Sequence, residues 1–175
     1  MAMMLRLKDF LHNRIVGRYH ETNLEKAPVD HFSSIRSVGI LFDAANSRER
    51  DIILDYAEQL RSQGIEVWPF GYFHSKVEGI TFKFDFIDIT KLSFAFIPRE
   101  ERVKEFIAKP FDLLVNLDSS LHKPLNYIAA ASKALFKIGP ANGNHQHYDL
   151  MIEMQEQDIS KYIQEIRKTF NKISG

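Results

Sequence analysis

Two uninterrupted apolar runs constrain the fold more than any other feature of this sequence. The first, SVGILFD, covers residues 37–43, and the second, FDLLVNLDSS, covers residues 111–120. Continuous apolar segments of this length are typical of strands that are buried on both faces, as in parallel sheets. Each run ends in polar residues, and a segment with helical apolar spacing follows it. We therefore predict an α/β fold with a mostly parallel sheet and helices on both faces.

The remaining segments complete a doubly wound, Rossmann-like sheet of five or six strands. Helical spacing runs from Asn46 to Gly64, a suitable helix stop. Residues 65–73 form a strand in which Pro69 either ends regular pairing or lies at an edge. Alternating residues predict another strand over 80–90. The later elements are a helix at 98–109, a small-residue helix at 125–136, short strands at 137–140 and 148–154, and a helix at 158–173.

The predicted sheet has one crevice in which a ligand would bind. In the common doubly wound order the first strand lies beside the fourth, and ligands bind outside the carboxyl ends where the winding reverses. The loop after the first strand, DAANS, lacks the glycines of a phosphate-binding loop. The candidate ligand-binding residues are the polar ones that follow these two strands: Asp43, Asn46, Ser47, Asn116, Asp118, Ser119 and Ser120.

Each of these residues also has a purely structural interpretation. Asn46 or Ser47 can cap the helix that follows, which is worth about 1 kcal/mol. Asp43 and Asp118 either hold Mg²⁺ between them or share a proton, or each accepts hydrogen bonds from loop amides at its own strand end. Ser119 and Ser120 suit a loop or a helix cap, because no base that would activate a serine nucleophile is evident.

The segment NGNHQHYD is a second candidate for a metal site. His145 and His147 are two residues apart, so a strand would direct both imidazoles to one face, and Asp149 could complete a zinc or iron site. A polar loop explains the same glycine and asparagine content. The other histidines are scattered and suggest no site, and we expect no cofactor. Trp68 and the phenylalanines at 82, 84 and 86 fit a core better than a base-stacking surface.

Residues 1–34 are expected to form an amphipathic helix and a connector, separate from a single domain at 35–175. Apolar residues recur at helical spacing, and Gly17 is where we expect the helix to end. Residues 1–18 contain four basic residues and one acidic residue. Attraction to an anionic membrane would be worth about 3 kcal/mol, too weak for stable anchoring without apolar insertion. We expect the apolar stripe to dock onto the domain, a second copy or a protein partner: Met4, Leu7, Leu11 and Ile15.

Charge and composition exclude several classes of protein. The 23 basic and 23 acidic residues cancel, so no overall field attracts nucleic acid. The absence of cysteine excludes disulfides, thiolate metal sites and cysteine nucleophiles. No apolar run approaches the ~20 residues that a membrane span needs, and charged residues interrupt the place of a signal peptide. We expect a cytoplasmic protein.

Four segments together resemble a small family of unknown function found in Bacteroidota: VGILFDAAN, PFDLLVNLD, PLNYIAAASKALFKIG and YDLMIEM. The resemblance runs from residue 36 through most of the chain and brings no catalytic residues with it. Residues 111–139 are also similar to one nucleotide-fold half of heptosyltransferase-like glycosyltransferases. This likeness implies a shared architecture without the transferase reaction, because 175 residues leave no room for a second nucleotide-sugar-binding half.

The sequence thus combines a complete sheet core with no coherent catalytic set. We expect a non-catalytic α/β domain that binds a protein partner or a small ligand. The alternative is a small enzyme, metal-assisted or acting on a phosphorylated metabolite, with its site at the carboxyl ends of the first and fourth strands.

Overall fold

The computed structural model describes residues 2–22, 35–141, 147–154 and 158–173. His145 and most of the connector at 19–34 lie outside these residues. In chain order the elements are α1 (Ala2–Thr22), β1 (Ser37–Asp43), α2 (Ser47–Ser62), β2 (Glu66–Phe73), β3 (Asp85–Asp88), α3 (Glu101–Ala108), β4 (Leu113–Asn116), α4 (Lys123–Ala131), β5 (Phe136–Pro140), β6 (Leu150–Ile152) and α5 (Ile159–Ile173).

The strands form one six-stranded sheet in the order β3-β2-β1-β4-β5-β6, and every neighbouring pair is parallel. The predicted neighbourhood of β1 and β4 is confirmed, with Val38 opposite Leu113 and Leu41 opposite Asn116. The chain winds outward in one direction through β2 and β3, and in the other through β5 and β6. The Rossmann-like α/β fold is therefore confirmed, and the reversal lies between β1 and β4.

Helices cover both faces of the sheet, because each strand presents apolar side chains in both directions. On one face, α2 and α5 pack through residues such as Ile53, Tyr162 and Ile166. On the other face, α3 and α4 pack through Phe106 and Ile128. The two apolar layers are what the continuous runs at 37–43 and 111–120 predict.

Gly139 on β5 illustrates how closely this sheet is packed. A Cβ atom at this position would overlap the ring of Tyr148. Tyr148 lies across β5 and is buried, and its hydroxyl accepts a hydrogen bond from the Asn116 side chain at 2.6 Å. Glycine is therefore required here for a close approach, and the tyrosine fills the space that a side chain would take.

Several element boundaries differ from the sequence-based expectation. The strand expected over 80–90 is confined to β3, because Asp88 caps a 3-10 turn at Ile89–Lys91 by accepting from the backbone N–H of Thr90 at 2.8 Å. Pairing between β2 and β3 starts at Phe70, so Pro69 lies where β2 has β1 as its partner and β3 has not begun. The helix expected to start at 98 begins at Glu101, and α4 ends at Ala131.

The three phenylalanines of the expected strand belong to an aromatic cluster. Phe84 is buried and the other two are half-buried, and the rings of Phe82 and Phe86 lie 5.1 and 5.4 Å from the ring of Phe73. The cluster packs against one apolar layer of the sheet. This placement agrees with the core interpretation.

Helix α1 continues through Gly17 to Thr22 and packs on α4, so Gly17 does not end it. The docked face contains the Asp9 carboxylate, which pairs with Lys123, and buried His12, whose Nδ1 lies 3.1 Å from the carbonyl oxygen of Ala95. Further along, the ring of Tyr19 meets that of Tyr127 edge-on at 5.8 Å.

Of the expected partners of the apolar stripe of α1, the domain covers its last two members and leaves its first two open. Met4 and Leu7 are exposed, while Leu11 and Ile15 are half-buried. The helix is rotated because His12 and Asp9 have specific polar partners on the domain, which fix the docked face. Within the described part of the chain, no helix has both the length and the apolar character needed to cross a membrane.

Candidate metal centre

The loops that leave β1 and β4 emerge at the same edge of the sheet. Asp43 is the last residue of β1, and Asp118 follows β4 by two residues. Pairing of the two strands continues beyond β4, since the backbone N–H of Leu117 donates to the carbonyl of Leu41 at 2.8 Å. The structure therefore brings both predicted carboxylates to the crevice where the winding reverses.

Asp118 organises the loop between β4 and α4. Its side chain is fully buried and accepts hydrogen bonds from the backbone N–H groups of Ser120 at 3.1 Å and His122 at 2.5 Å. The same carboxylate lies 2.9 Å from Nδ1 of His122. The structural interpretation of Asp118 therefore holds, but the carboxylate also fixes the orientation of an imidazole.

His74 brings a second imidazole to the same place. It is the first residue after β2, which is the neighbour of β1 on the side away from β4. The rings of His74 and His122 are parallel within 2°, with their centroids 6.3 Å apart. Three adjacent strands thus deliver Asp43, His74 and His122 to one edge of the sheet.

Asp43, His74 and His122 form a group with the composition of a metal site. One ligand atom from each residue lies within 4.8 Å of the ligand atoms of the other two. His122 uses Nδ1 toward Asp118, which leaves Nε2 for a metal, and one oxygen of Asp43 accepts from the N–H of Ala45 at 2.9 Å, which leaves the other. A carboxylate behind a histidine ligand is the usual support of a protein metal site.

The charges around this group favour a cation. Burial alone would lower the pKa of His122, but its hydrogen bond to Asp118 and the charges of Asp118 and Asp43 outweigh burial and raise it. Glu49, in the first turn of α2, has a pKa raised first by burial and then by the charges of Asp43 and Asp118. The same two carboxylates also act on Tyr72, whose pKa is raised mainly by burial. A cation would relieve the mutual repulsion of these acidic groups.

The hydrogen bonds described for Asn46, Asn116 and Ser120 are all made within the protein. Asn46 caps α2, since its side chain accepts from the N–H of Glu49 at 3.3 Å, and Ser47 is the exposed first residue of that helix. Asn116 is buried and accepts from the N–H of Asp118 at 3.0 Å while donating to Tyr148. Ser119 and Ser120 lie in the loop that Asp118 organises.

Of the second candidate metal site, the structure describes His147 and Asp149, and His145 lies outside the described residues. His147 is buried, with its ring 4.4 Å from that of Tyr148. Asp149 accepts a hydrogen bond from the N–H of Lys137 at 2.7 Å, at the amino-terminal end of β5. Of the residues that the structure describes, the three metal-ligating side chains found together are Asp43, His74 and His122, so neither His147 nor Asp149 joins them.

His74 and His122 were absent from the residues predicted from the sequence. A signal was available: His74 directly follows a predicted strand, and His122 follows Ser120 by two residues in the loop after another strand. Both positions lie at carboxyl ends of strands, where ligands bind in this fold. The useful signal is the position of each histidine just after a predicted strand. The spacing of the histidines along the chain does not reveal it.

Comparison with protein families gives one match. The model of a family of unknown function, DUF6913, matches residues 8–173. The chain belongs to this family. Membership agrees with the expected resemblance to a family of unknown function. The matched residues include most of α1 as well as the sheet domain. No curated protein matches the chain, so the site must be interpreted from its own chemistry.

Proposed function

We propose that this member of DUF6913 binds a divalent transition-metal ion with Asp43, His74 and His122, and that it is a metal-assisted enzyme. The observation that carries the proposal is the convergence of these three side chains, with ligand atoms within 4.8 Å of one another, at the carboxyl edge of the sheet. Ligands bind at this edge in doubly wound folds. The proposal agrees with the enzyme alternative of the sequence analysis. Of its three ligands, Asp43 was predicted from the sequence, whereas His74 and His122 were not.

The nature of the ligands favours a transition metal over Mg²⁺. Two imidazoles and one carboxylate suit Zn²⁺, Fe²⁺ or Mn²⁺, whereas Mg²⁺ prefers oxygen ligands alone. Asp118 would then be a positioning residue, since both of its oxygens already accept hydrogen bonds from the loop and from His122. Its role is to hold the His122 imidazole with Nε2 directed toward the ion.

Three protein ligands favour catalysis over a purely structural metal. Structural zinc sites usually have four protein ligands, whereas catalytic sites leave positions for water or substrate. His74 is exposed and Asp43 is half-buried, so solvent and a small molecule can reach the group. A metal here would supply Lewis-acid chemistry or an activated water. Glu49, close enough to Asp43 for their charges to interact, is the candidate for moving a proton.

Metal binding by the full chain tests the proposal. The protein is stripped with a chelator, and Zn²⁺, Mn²⁺ and Co²⁺ are then titrated by calorimetry. We expect one ion per chain, and a visible Co²⁺ spectrum typical of nitrogen and oxygen ligands. His74→Gln and Asp43→Asn are each expected to weaken binding at least about tenfold.

Asp55→Asn is the matched control, because Asp55 is an exposed carboxylate on α2 and should not contribute to the ion. If none of the ions binds, or if His74→Gln and Asp43→Asn bind the ion as the original chain does, the metal proposal fails. The non-catalytic binding domain expected from the sequence then becomes the better hypothesis. If the ion binds but no hydrolytic or redox turnover appears in a broad substrate screen, the enzyme part of the proposal is lost and the metal site remains.

We also propose that the chain is a cytoplasmic protein of Bacteroidota whose residues 111–139 share their architecture with heptosyltransferase-like enzymes. Support for the compartment comes from the absence of cysteine, and support for the origin and architecture comes from the sequence resemblance. Cell fractionation with antibody detection tests the compartment.

A further inference from the structure

We propose that the exposed face of α1 binds an anionic lipid surface. This face is defined by the apolar residues Met4, Leu7 and Phe10 together with Arg6, Arg14 and Arg18. It is separate from the candidate metal centre, and the proposal does not depend on the proposed enzymatic function.

The apolar part of this face is unusually open to solvent. Met4, Leu7 and Phe10 are 55%, 51% and 60% exposed, all within the first half of the helix. Phe94 of the neighbouring loop is also exposed at 47%, and the ammonium group of Lys8 lies 4.7 Å above its ring. Several large apolar side chains exposed close together in this way are a feature of interaction sites.

Helical geometry separates this face from the docked one. Leu7, Phe10, Arg14 and Arg18 follow one another at intervals of three and four residues, so they share one side of the helix. The docked residues follow the same spacing on the opposite side: Asp9, His12, Val16 and Tyr19. The domain therefore cannot cover the exposed face without releasing the contacts of His12 and Tyr19.

The charged side chains that the structure describes on this face are all basic. Arg6, Arg14 and Arg18 are exposed. The one acidic residue between positions 2 and 20 is Asp9, which is paired with Lys123 on the docked side. The neighbouring segment at 89–99 adds Arg99, while its other basic residue, Lys91, pairs with Glu100 at 3.4 Å. The surface that covers this face should therefore be anionic.

These features favour lipid over the other occupants. Two copies of the chain meeting through this face would bring the arginines of both together, which is unfavourable. Nucleic acid would engage the arginines but would leave Leu7 and Phe10 without an apolar partner. At a bilayer surface, leucine and phenylalanine side chains enter the boundary of the acyl chains while arginine side chains contact the headgroups. Each arginine near such a surface strengthens binding about fivefold, so three give roughly a hundredfold.

Sedimentation of the full chain with vesicles tests the proposal. We expect binding to vesicles that contain phosphatidylserine, weak binding to vesicles of phosphatidylcholine alone, and a decrease in binding as salt is raised. Replacing Arg14 and Arg18 by glutamine should weaken binding to the anionic vesicles about twentyfold or more. The double change Leu7→Gln and Phe10→Gln should reduce binding to both kinds of vesicle, because it removes the apolar insertion.

Two controls match these variants in chemistry and exposure. Ile80→Gln replaces an apolar side chain that is 60% exposed outside α1, and Lys133→Gln removes an exposed positive charge next to α4. Both should bind vesicles as the original chain does. All the variants alter exposed side chains, and circular dichroism checks that they fold.

Several results would overturn the proposal. One is no binding to anionic vesicles at low salt. Another is a dimer in light scattering that the Leu7→Gln and Phe10→Gln change dissociates, which would assign the face to a second copy. Binding that is equal for both vesicle types, or equally weakened by the control variants, would also contradict it, as would tighter binding to DNA than to anionic vesicles.

Discussion

Asp118→Asn is the substitution that most directly tests how the candidate site is built. The native carboxylate is fully buried and accepts from the N–H groups of Ser120 and His122 and contacts the His122 imidazole. In the variant, one oxygen is replaced by an NH₂ group that faces a backbone donor at His122. Loss of a charge-assisted hydrogen bond costs about 1.5–3 kcal/mol. The buried N–H group of His122, left without an acceptor, adds a further cost. We expect the free energy of unfolding to fall by about 3 kcal/mol in total.

The dependence of this loss on pH distinguishes the imidazole contact from the backbone contacts. The pKa of His122 in the folded state is raised above 6.5 by Asp118 and Asp43, although burial acts against it. Stabilisation from its protonation is therefore fully present below the unfolded value of 6.5 and is lost as pH rises through the raised folded value. We expect Asp118→Asn to lower the free energy of unfolding more at pH values below 6.5 than at alkaline pH.

Urea unfolding of the chelator-treated chain measures both effects. Asp88→Asn is the matched control, because Asp88 is also buried and accepts from the N–H groups of Val77 and Thr90, with no imidazole in that set. It should lose a similar stability without any change over the histidine range. The reasoning is refuted if Asp118→Asn costs less than about 1 kcal/mol, or if the losses of the two variants depend on pH in the same way.

Four further outcomes are expected. Gly139→Ala should lower the free energy of unfolding by about 2 kcal/mol or more, since its Cβ overlaps Tyr148, whereas Gly17→Ala in the open part of α1 should raise it by about 0.5–1 kcal/mol in the same urea assay. Asn46→Ala should cost about 1 kcal/mol in thermal unfolding because the cap of α2 is lost. Burial lowers the pKa of His12, so acidification below its unfolded value destabilises the docked α1, and limited proteolysis should then cut α1 faster; an unchanged rate would contradict this.

The architecture was predictable because the signals that specify it are local. The runs at 37–43 and 111–120 are apolar throughout, which requires burial on both faces and therefore a parallel sheet. The rule for doubly wound sheets then placed β1 beside β4, as observed. Asp43 and Asp118 were placed at one crevice because carboxyl ends of adjacent parallel strands share one edge of the sheet.

The composition of the candidate site was not predictable in the same way. His74 and His122 belong to different βα loops, and their meeting depends on β2 and β4 both flanking β1 and on the turn that Asp118 imposes. The segment at 80–84 alternates as a strand does, yet β3 begins only at Asp85, where pairing with β2 starts. Periodicity reports which side chains are apolar, and it does not report where a neighbouring strand begins.

The sequence by itself determined the parallel sheet, its winding and the edge at which a ligand would bind, because burial on both faces is written into each apolar run. Only the tertiary structure decided which side chains meet at that edge and which face of α1 remains open. Those outcomes depend on specific polar contacts, Asp118 with His122 within one loop and His12 with the distant Ala95 across the domain surface. Hydrogen bonds of this kind fix the rotation of a ring or a helix, and no local pattern of apolar residues encodes that rotation.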